Sequence, residues 1–125
     1  MPLRQGSAAE LELAVTDADT AIAARSGTVP VLATPRLIAL FEEVSVLAVA
    51  GQLADTETTV GMRVQVDHLA PTGVGSVVTA EAVLDRIEGR RLTFTVSARD
   101  AGGLVGAGKV TRVVVDTQRF LDKLR

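Results

Sequence analysis

Polar and apolar positions alternate over residues 10–16. Leu11, Leu13 and Val15 fall on one side and Glu10, Glu12 and Ala14 on the other, which predicts a strand with one buried face. Residues 17–27 read as a small, polar connection with a helical turn around 18–25, and residues 29–32 as a short extended piece. The period then changes. Leu37, Phe41, Val44 and Ala48 recur at three and four, with Ile38 beside them, which predicts a helix. Thr34 is placed to cap it, Pro35 suits its first position, and Gly51 ends it. Ala39, Leu40, Val46, Leu47, Val49 and Ala50 carry the apolar surface around most of the helix, so burial on most sides is expected.

From Thr56 onward the period of two returns. Residues 58–69 put Val60, Met62, Val64, Val66 and His68 on one face and Gly61, Arg63, Gln65 and Asp67 on the other. Residues 76–88 form a second long strand, bent near Asp85 where the alternation slips, and Gly89 turns the chain. Residues 91–99 form a third, with Leu92, Phe94, Val96 and Ala98 inward. After a hairpin turn at 100–103, a fourth strand spans 104–115, and a short amphipathic helix covers 117–124. One strand, one buried helix and four long antiparallel strands fit a single sheet wrapped around a central helix. That is the α+β hot-dog fold, and one domain over residues 1–125 is expected. A ferredoxin-like or cystatin-like α+β domain is the structural alternative.

Composition narrows the chemistry. Nearly half of the 125 residues are apolar (47%), which excludes a disordered chain. The net charge of -2 and the absence of Trp and Tyr leave neither a basic excess nor an aromatic series, so nucleic acid is not an expected partner. With no cysteine there is no disulfide, no thiolate metal site and no cysteine nucleophile. The N-terminus has no signal-peptide core, and the apolar run over residues 37–50 is shorter than the ~20 residues of a bilayer span. A cytoplasmic protein without membrane partners is expected. Gly103, Gly108 and Lys109 nearly spell a phosphate-binding loop. However, Val110 stands where Ser or Thr should follow, and a β-branched strand follows instead of a helix.

Three segments resemble the fluoroacetyl-CoA thioesterase family: VLATPRLIALFEE at 31–43, TTVGMRVQVDHLAPTGVGSVVTAEAVL at 58–84, and GRRLTFTVSARDAGGLVGAGKVTRVVVDTQRFLDK at 89–123. The resemblance implies hydrolysis of an acyl-CoA thioester without metal or organic cofactor, by a homodimer. By motif position it assigns catalytic roles to Thr34, Glu42 and His68, with Gly61 beside the substrate. Fluoroacetyl selectivity goes in that family with aromatic residues ahead of the helix. Residues 21–31 contain none, so the resemblance points here to a short- or medium-chain acyl-CoA.

The residues themselves carry simpler readings. His68, the sole histidine, lies on the apolar side of its strand, where a buried imidazole needs a partner. Glu42 and its neighbour Glu43 interrupt an apolar helix. Thr34 serves equally as a cap, and the free N–H groups of the first turn make an oxyanion site. Eight helical residues rise about 12 Å, so Thr34 and Glu42 of one straight helix cannot touch; either Thr34 lies in a loop that folds back or the site is shared between two subunits, and the shared site is expected. Gly61 gives close approach or a bulge. Arg36, Arg90, Arg91, Arg99, Lys109 and Arg112 are candidates for the CoA phosphates. A non-catalytic acyl-CoA-binding module, or a hot-dog enoyl-CoA hydratase, is the alternative function.

Overall fold

The computed structural model describes residues 2–124. Strand β1 (Ala8–Ala14) is followed by a 3-10 turn (Asp17–Asp19), a short helix α1 (Ala21–Ala24) and the long helix α2 (Thr34–Ala48). Four strands follow, β2 (Glu57–His68), β3 (Val77–Glu88), β4 (Arg91–Asp100) and β5 (Gly103–Asp116), and then a short helix α3 (Thr117–Leu121). All pairings are antiparallel, in the sheet order β1-β3-β4-β5-β2. The expected elements are therefore all present. The last helix is shorter than expected, and α2 ends at Ala48, with Gly51 adopting positive φ in the turn beyond it.

The sheet folds over α2. Leu37, Leu40, Phe41 and Val44 of the helix are fully buried against Val78, Ala80, Ala82 and Leu84 of β3 and Leu92, Phe94, Val96 and Ala98 of β4. Each large side chain buried this way contributes about 1.5–3 kcal/mol relative to exposure. Coverage is incomplete: Ala39, Glu43, Val46 and Leu47 remain exposed, so one stripe of the helix is open. Burial on most sides was expected, and this chain alone does not supply it.

Three irregularities bend the sheet, at Met62 in β2, Asp85 in β3 and Val105 in β5, where the pairing skips one residue. The bulge at Asp85 matches the slip in alternation. The bulge at Met62 overturns one expected face. Gly61 pairs with Arg112 and Arg63 with Thr111, so Met62 is the extra residue and is 47% exposed. Thr59 is buried and Gly61 borders Glu42 of α2 on one side of the bulge, and Val64, Val66 and His68 are half-buried on the other. A strict period of two cannot anticipate such a shift.

Gly106 and Gly108 have a packing role and no phosphate role. A Cβ on Gly106 would lie 2.9 Å from the Asp67 carbonyl and 2.9 Å from Leu37 Cδ2, and one on Gly108 would strike the Gln65 carbonyl. The backbones of β2 and β5 therefore approach too closely for any side chain there. Gly108→Ala is expected to cost about 1–3 kcal/mol, as for other overpacked positions. A urea melt checks this, and an unchanged midpoint would show that the ladder can spread freely.

Candidate active site

The first turn of α2 is fixed from the segment before it. The Asp19 carbonyl accepts the Ala33 N–H at 2.9 Å, and Ala33 is the residue that precedes the helix. The Asp19 carboxylate accepts Arg36 Nε at 3.0 Å on one oxygen and the Thr16 N–H and hydroxyl on the other at 2.8 and 2.9 Å. Burial alone would raise the pKa of Asp19. The hydrogen bonds from Thr16 and Arg36 outweigh it and hold the carboxyl below its ordinary value. Arg36 is thereby held to Asp19 through Nε.

Thr34 is the first residue of the helix, and its hydroxyl makes no capping bond. That corrects the expectation of a threonine cap. Its Oγ1 lies instead 2.8 Å from His68 Nδ1, at the end of β2. The hydroxyl is released from capping because Ala33 already occupies the cap position in an extended conformation. The N–H groups of Thr34 and Arg36 have no acceptor within the helix, and Pro35 between them has none to offer. A hydroxyl–imidazole pair and two N–H groups without an acceptor in the helix therefore share one helix end.

His68 is held by the exit of β2. The N–H groups of Leu69 and Ala70 both donate to the Val105 carbonyl, at 2.7 and 3.2 Å, which fixes the chain just beyond the ring. Its Nε2 is buried and meets no hydrogen-bond partner among the described residues. Burial lowers the pKa of His68 below the ordinary histidine value, opposed weakly by the main chain of Ala70. The ring is therefore neutral at pH 7 and fit to accept a proton. A cavity of about 340 Å³ opens beside Thr34 and His68, under residues 26–32.

Glu42 lies apart from this pair, two turns further along α2. Its carboxylate accepts Arg112 Nη1 at 3.0 Å. Arg112 is 8% exposed and is otherwise satisfied by Thr59, through Nε to the hydroxyl at 2.9 Å and Nη2 to the carbonyl at 3.0 Å. This corrects its expected place among the CoA-phosphate ligands: it is the fixed cation behind Glu42. The alternation Val110, Arg112, Val114 sets an arginine among inward-facing valines, a signal that was legible in the sequence. Gly61 makes room for the same carboxylate, because a Cβ there would lie 2.5 Å from Glu42 Oε2. Glu43, the other acid of the pair, is exposed. Lys109 is engaged by Asp85 at 2.9 Å, and Arg90 donates to the Val114 carbonyl at 3.2 Å.

Among the described residues no three His, Asp or Glu side chains converge on a metal position. Among the described residues no helix is long and apolar enough to cross a membrane. As the sole histidine, His68 gives one imidazole resonance in a proton NMR titration. In Glu42→Ala, where that carboxylate is absent, its midpoint is expected below 6.5, as burial dictates. A midpoint at or above 6.5 in that variant would mean that the ring is solvated.

The chain and its fold have close counterparts. The family described as fluoroacetyl-CoA-specific thioesterase matches residues 15–118. The fluoroacetyl-CoA thioesterase of Streptantibioticus cattleyicolor is 38% identical over 95 residues, which cover 76% of this chain and 68% of that protein. The solved structure of the fluoroacetyl-CoA thioesterase FlK superposes with a TM-score of 0.92 at 30% identity, covering 98% of this chain and 96% of that one. A mutant of FlK in complex with fluoroacetate and CoA superposes with a TM-score of 0.88 at 31% identity, covering 94% of this chain and 99% of that one. A Thermus thermophilus protein described as a thioesterase superfamily member gives 0.89 at 26% identity, over 97% of this chain and 90% of that one. The five-stranded antiparallel sheet around α2 is thus a hot-dog fold, and the chain belongs to the fluoroacetyl-CoA-specific thioesterase family.

Proposed function

We propose that this protein hydrolyses a short- or medium-chain acyl-CoA to the free acid and CoA, with Thr34, His68 and Glu42 as its catalytic residues. The observation that carries the reading is the 2.8 Å contact between the Thr34 hydroxyl and His68 Nδ1, beside a cavity and at a helix N-terminus. The thioester carbonyl takes its place before Thr34, with its oxygen toward the free N–H groups of the first turn. Thr34 Oγ1 attacks the carbonyl carbon as its proton passes to Nδ1 of the neutral His68. The tetrahedral oxyanion rests on the N–H groups of Thr34 and Arg36, where the helix dipole also favours it. The C–S bond breaks, and the CoA thiolate takes the proton from His68. Water then attacks the acyl-threonine and loses a proton to His68, the C–Oγ1 bond breaks, Thr34 Oγ1 takes that proton back from His68, and the free acid leaves.

Glu42 enters from a second subunit. Within one chain about 12 Å of helix separates it from Thr34, beyond the reach of a hydrogen bond. Three observations support a homodimer. Strand β2 is an open edge of the sheet, and it carries Gly61, under Glu42, toward one end and His68 at the other. Glu42 keeps 37% of its side chain exposed although Arg112 anchors it. Val46 and Leu47 of α2 lie open at 46% and 43%. Antiparallel pairing of two β2 edges sets the Glu42 of each chain toward the partner's His68, whose buried Nε2 has a donor or acceptor to spare. There the carboxylate orients the ring and activates the hydrolytic water. Gly61 acts as the positioning residue that leaves room for that carboxylate.

Thiol release from a series of acyl-CoAs, read with a thiol-reactive dye, tests this function. The protein has no cysteine to add background. His68→Ala and Glu42→Ala are each expected to lose at least ~100-fold, and acid quenching during turnover is expected to trap an acyl group on Thr34 by mass spectrometry. An inert wild type, or variants that match it, would leave an acyl-CoA-binding module instead. Hydration of crotonyl-CoA without thiol release would make it a hydratase.

A further inference from the structure

The cavity beside Thr34 and His68 has walls of a definite kind. Ala21, Gly27, Val29, Val31 and Leu69 line it with aliphatic groups, and its polar side chains are limited to Ser26 and the two reacting residues. No charged side chain lines it. Arg36, in the adjacent first turn, is turned onto Asp19 at 3.0 Å and so supplies no cation to the cavity. A second carboxylate carried on the acyl group would find no cation on these walls to pair with. The volume also exceeds the need of a two-carbon acyl group. At about 340 Å³ it has space for roughly ten groups the size of a water molecule, each about 30 Å³.

Two of the lining residues are minimal and lie against each other. A Cβ on Gly27 would lie 3.3 Å from the Ala21 Cβ, so a larger side chain at either position would crowd the other. Gly27 lies outside the left-handed region, so its role here is space and not backbone freedom. Arg25 does sit in that region at φ 58, where it ends α1 and turns the chain toward Ser26 and Gly27.

We infer that this cavity is the acyl chamber and that it selects uncharged aliphatic acyl groups of roughly four to eight carbons, counting each methylene as about the size of a water. The inference rests on the thioesterase reading above and deepens it. Ala21, Ser26 and Gly27 set the depth of the chamber, and the lack of a lining cation sets its charge selectivity. Each methylene added to the acyl chain buries more apolar surface against Val29, Val31 and Leu69 until the chamber is full.

The test is kcat/KM for acetyl-, butyryl-, hexanoyl-, octanoyl- and succinyl-CoA, with wild type and two variants. The expected rise from acetyl to hexanoyl is about threefold to fourfold per methylene, which corresponds to about 0.8 kcal/mol per buried CH2. Succinyl-CoA is expected at least ~100-fold below butyryl-CoA. Ala21→Leu and, separately, Ser26→Leu fill the chamber and are expected to lower the hexanoyl-to-acetyl ratio at least ~10-fold, equivalent to about two methylenes of lost burial. Ser26 is exposed, so its variant gives a readout even if the Ala21 variant misfolds. Acetyl-CoA preferred over hexanoyl-CoA, efficient turnover of succinyl-CoA, or a ratio unmoved by both variants would overturn the inference while leaving the thioesterase reading intact. Failure to hydrolyse any acyl-CoA would overturn both.

Discussion

A helix with apolar residues on nearly every side must be enclosed, and much of this architecture follows from that constraint. α2 buries Leu37, Leu40, Phe41 and Val44 completely, and no flat sheet could reach them all. The sheet curves, and its curvature has local causes in the extra residues at Met62, Asp85 and Val105. The close approach of β5 to β2 at Gly106 and Gly108 lets the edge strand follow the curve. What one chain cannot enclose is the stripe through Ala39, Glu43, Val46 and Leu47, which is where a second copy fits the account.

The chemistry is a by-product of the same enclosure. Wrapping β2 along α2 brings the end of the strand to the start of the helix, so His68 meets Thr34 although 34 residues separate them. Burial lowers the pKa of the imidazole and so favours its neutral form. The helix start leaves N–H groups free at the same place. Further along, the bulge at Met62 turns Gly61 toward α2, where the missing side chain admits the Glu42 carboxylate against the buried Arg112. A buried guanidinium so well satisfied holds that carboxylate in one position.

Much of this was legible in the sequence, for physical reasons. A helix period that turns into a run of period-two strands dictates one sheet and one helix, and the inward face of Leu92, Phe94, Val96 and Ala98 follows from alternation alone. His68 is assigned correctly to the helix side by the same logic. Met62 is not, since a bulge adds one residue without any mark in the polar pattern. Thr34 reads as a cap because residue type and position both permit it, and only the geometry of Ala33 releases its hydroxyl for His68. The pairs Arg112–Glu42 and Asp19–Arg36 join residues 70 and 17 positions apart, and pairing over such distances is a product of folding.

The central claim is that each site takes His68 and Thr34 from one chain and Glu42 from the other. Subunit complementation tests it most directly. His68→Ala and Glu42→Ala, each inactive as a homodimer, are mixed, unfolded and refolded together, and thiol release from an acyl-CoA is measured. In the mixed dimer the intact His68 of one chain faces the intact Glu42 of the other, so one undamaged site re-forms and substantial activity returns. If all three residues act within one chain, every site in the mixture keeps one defect. Activity then stays at the level of the separate variants, and the shared site is wrong.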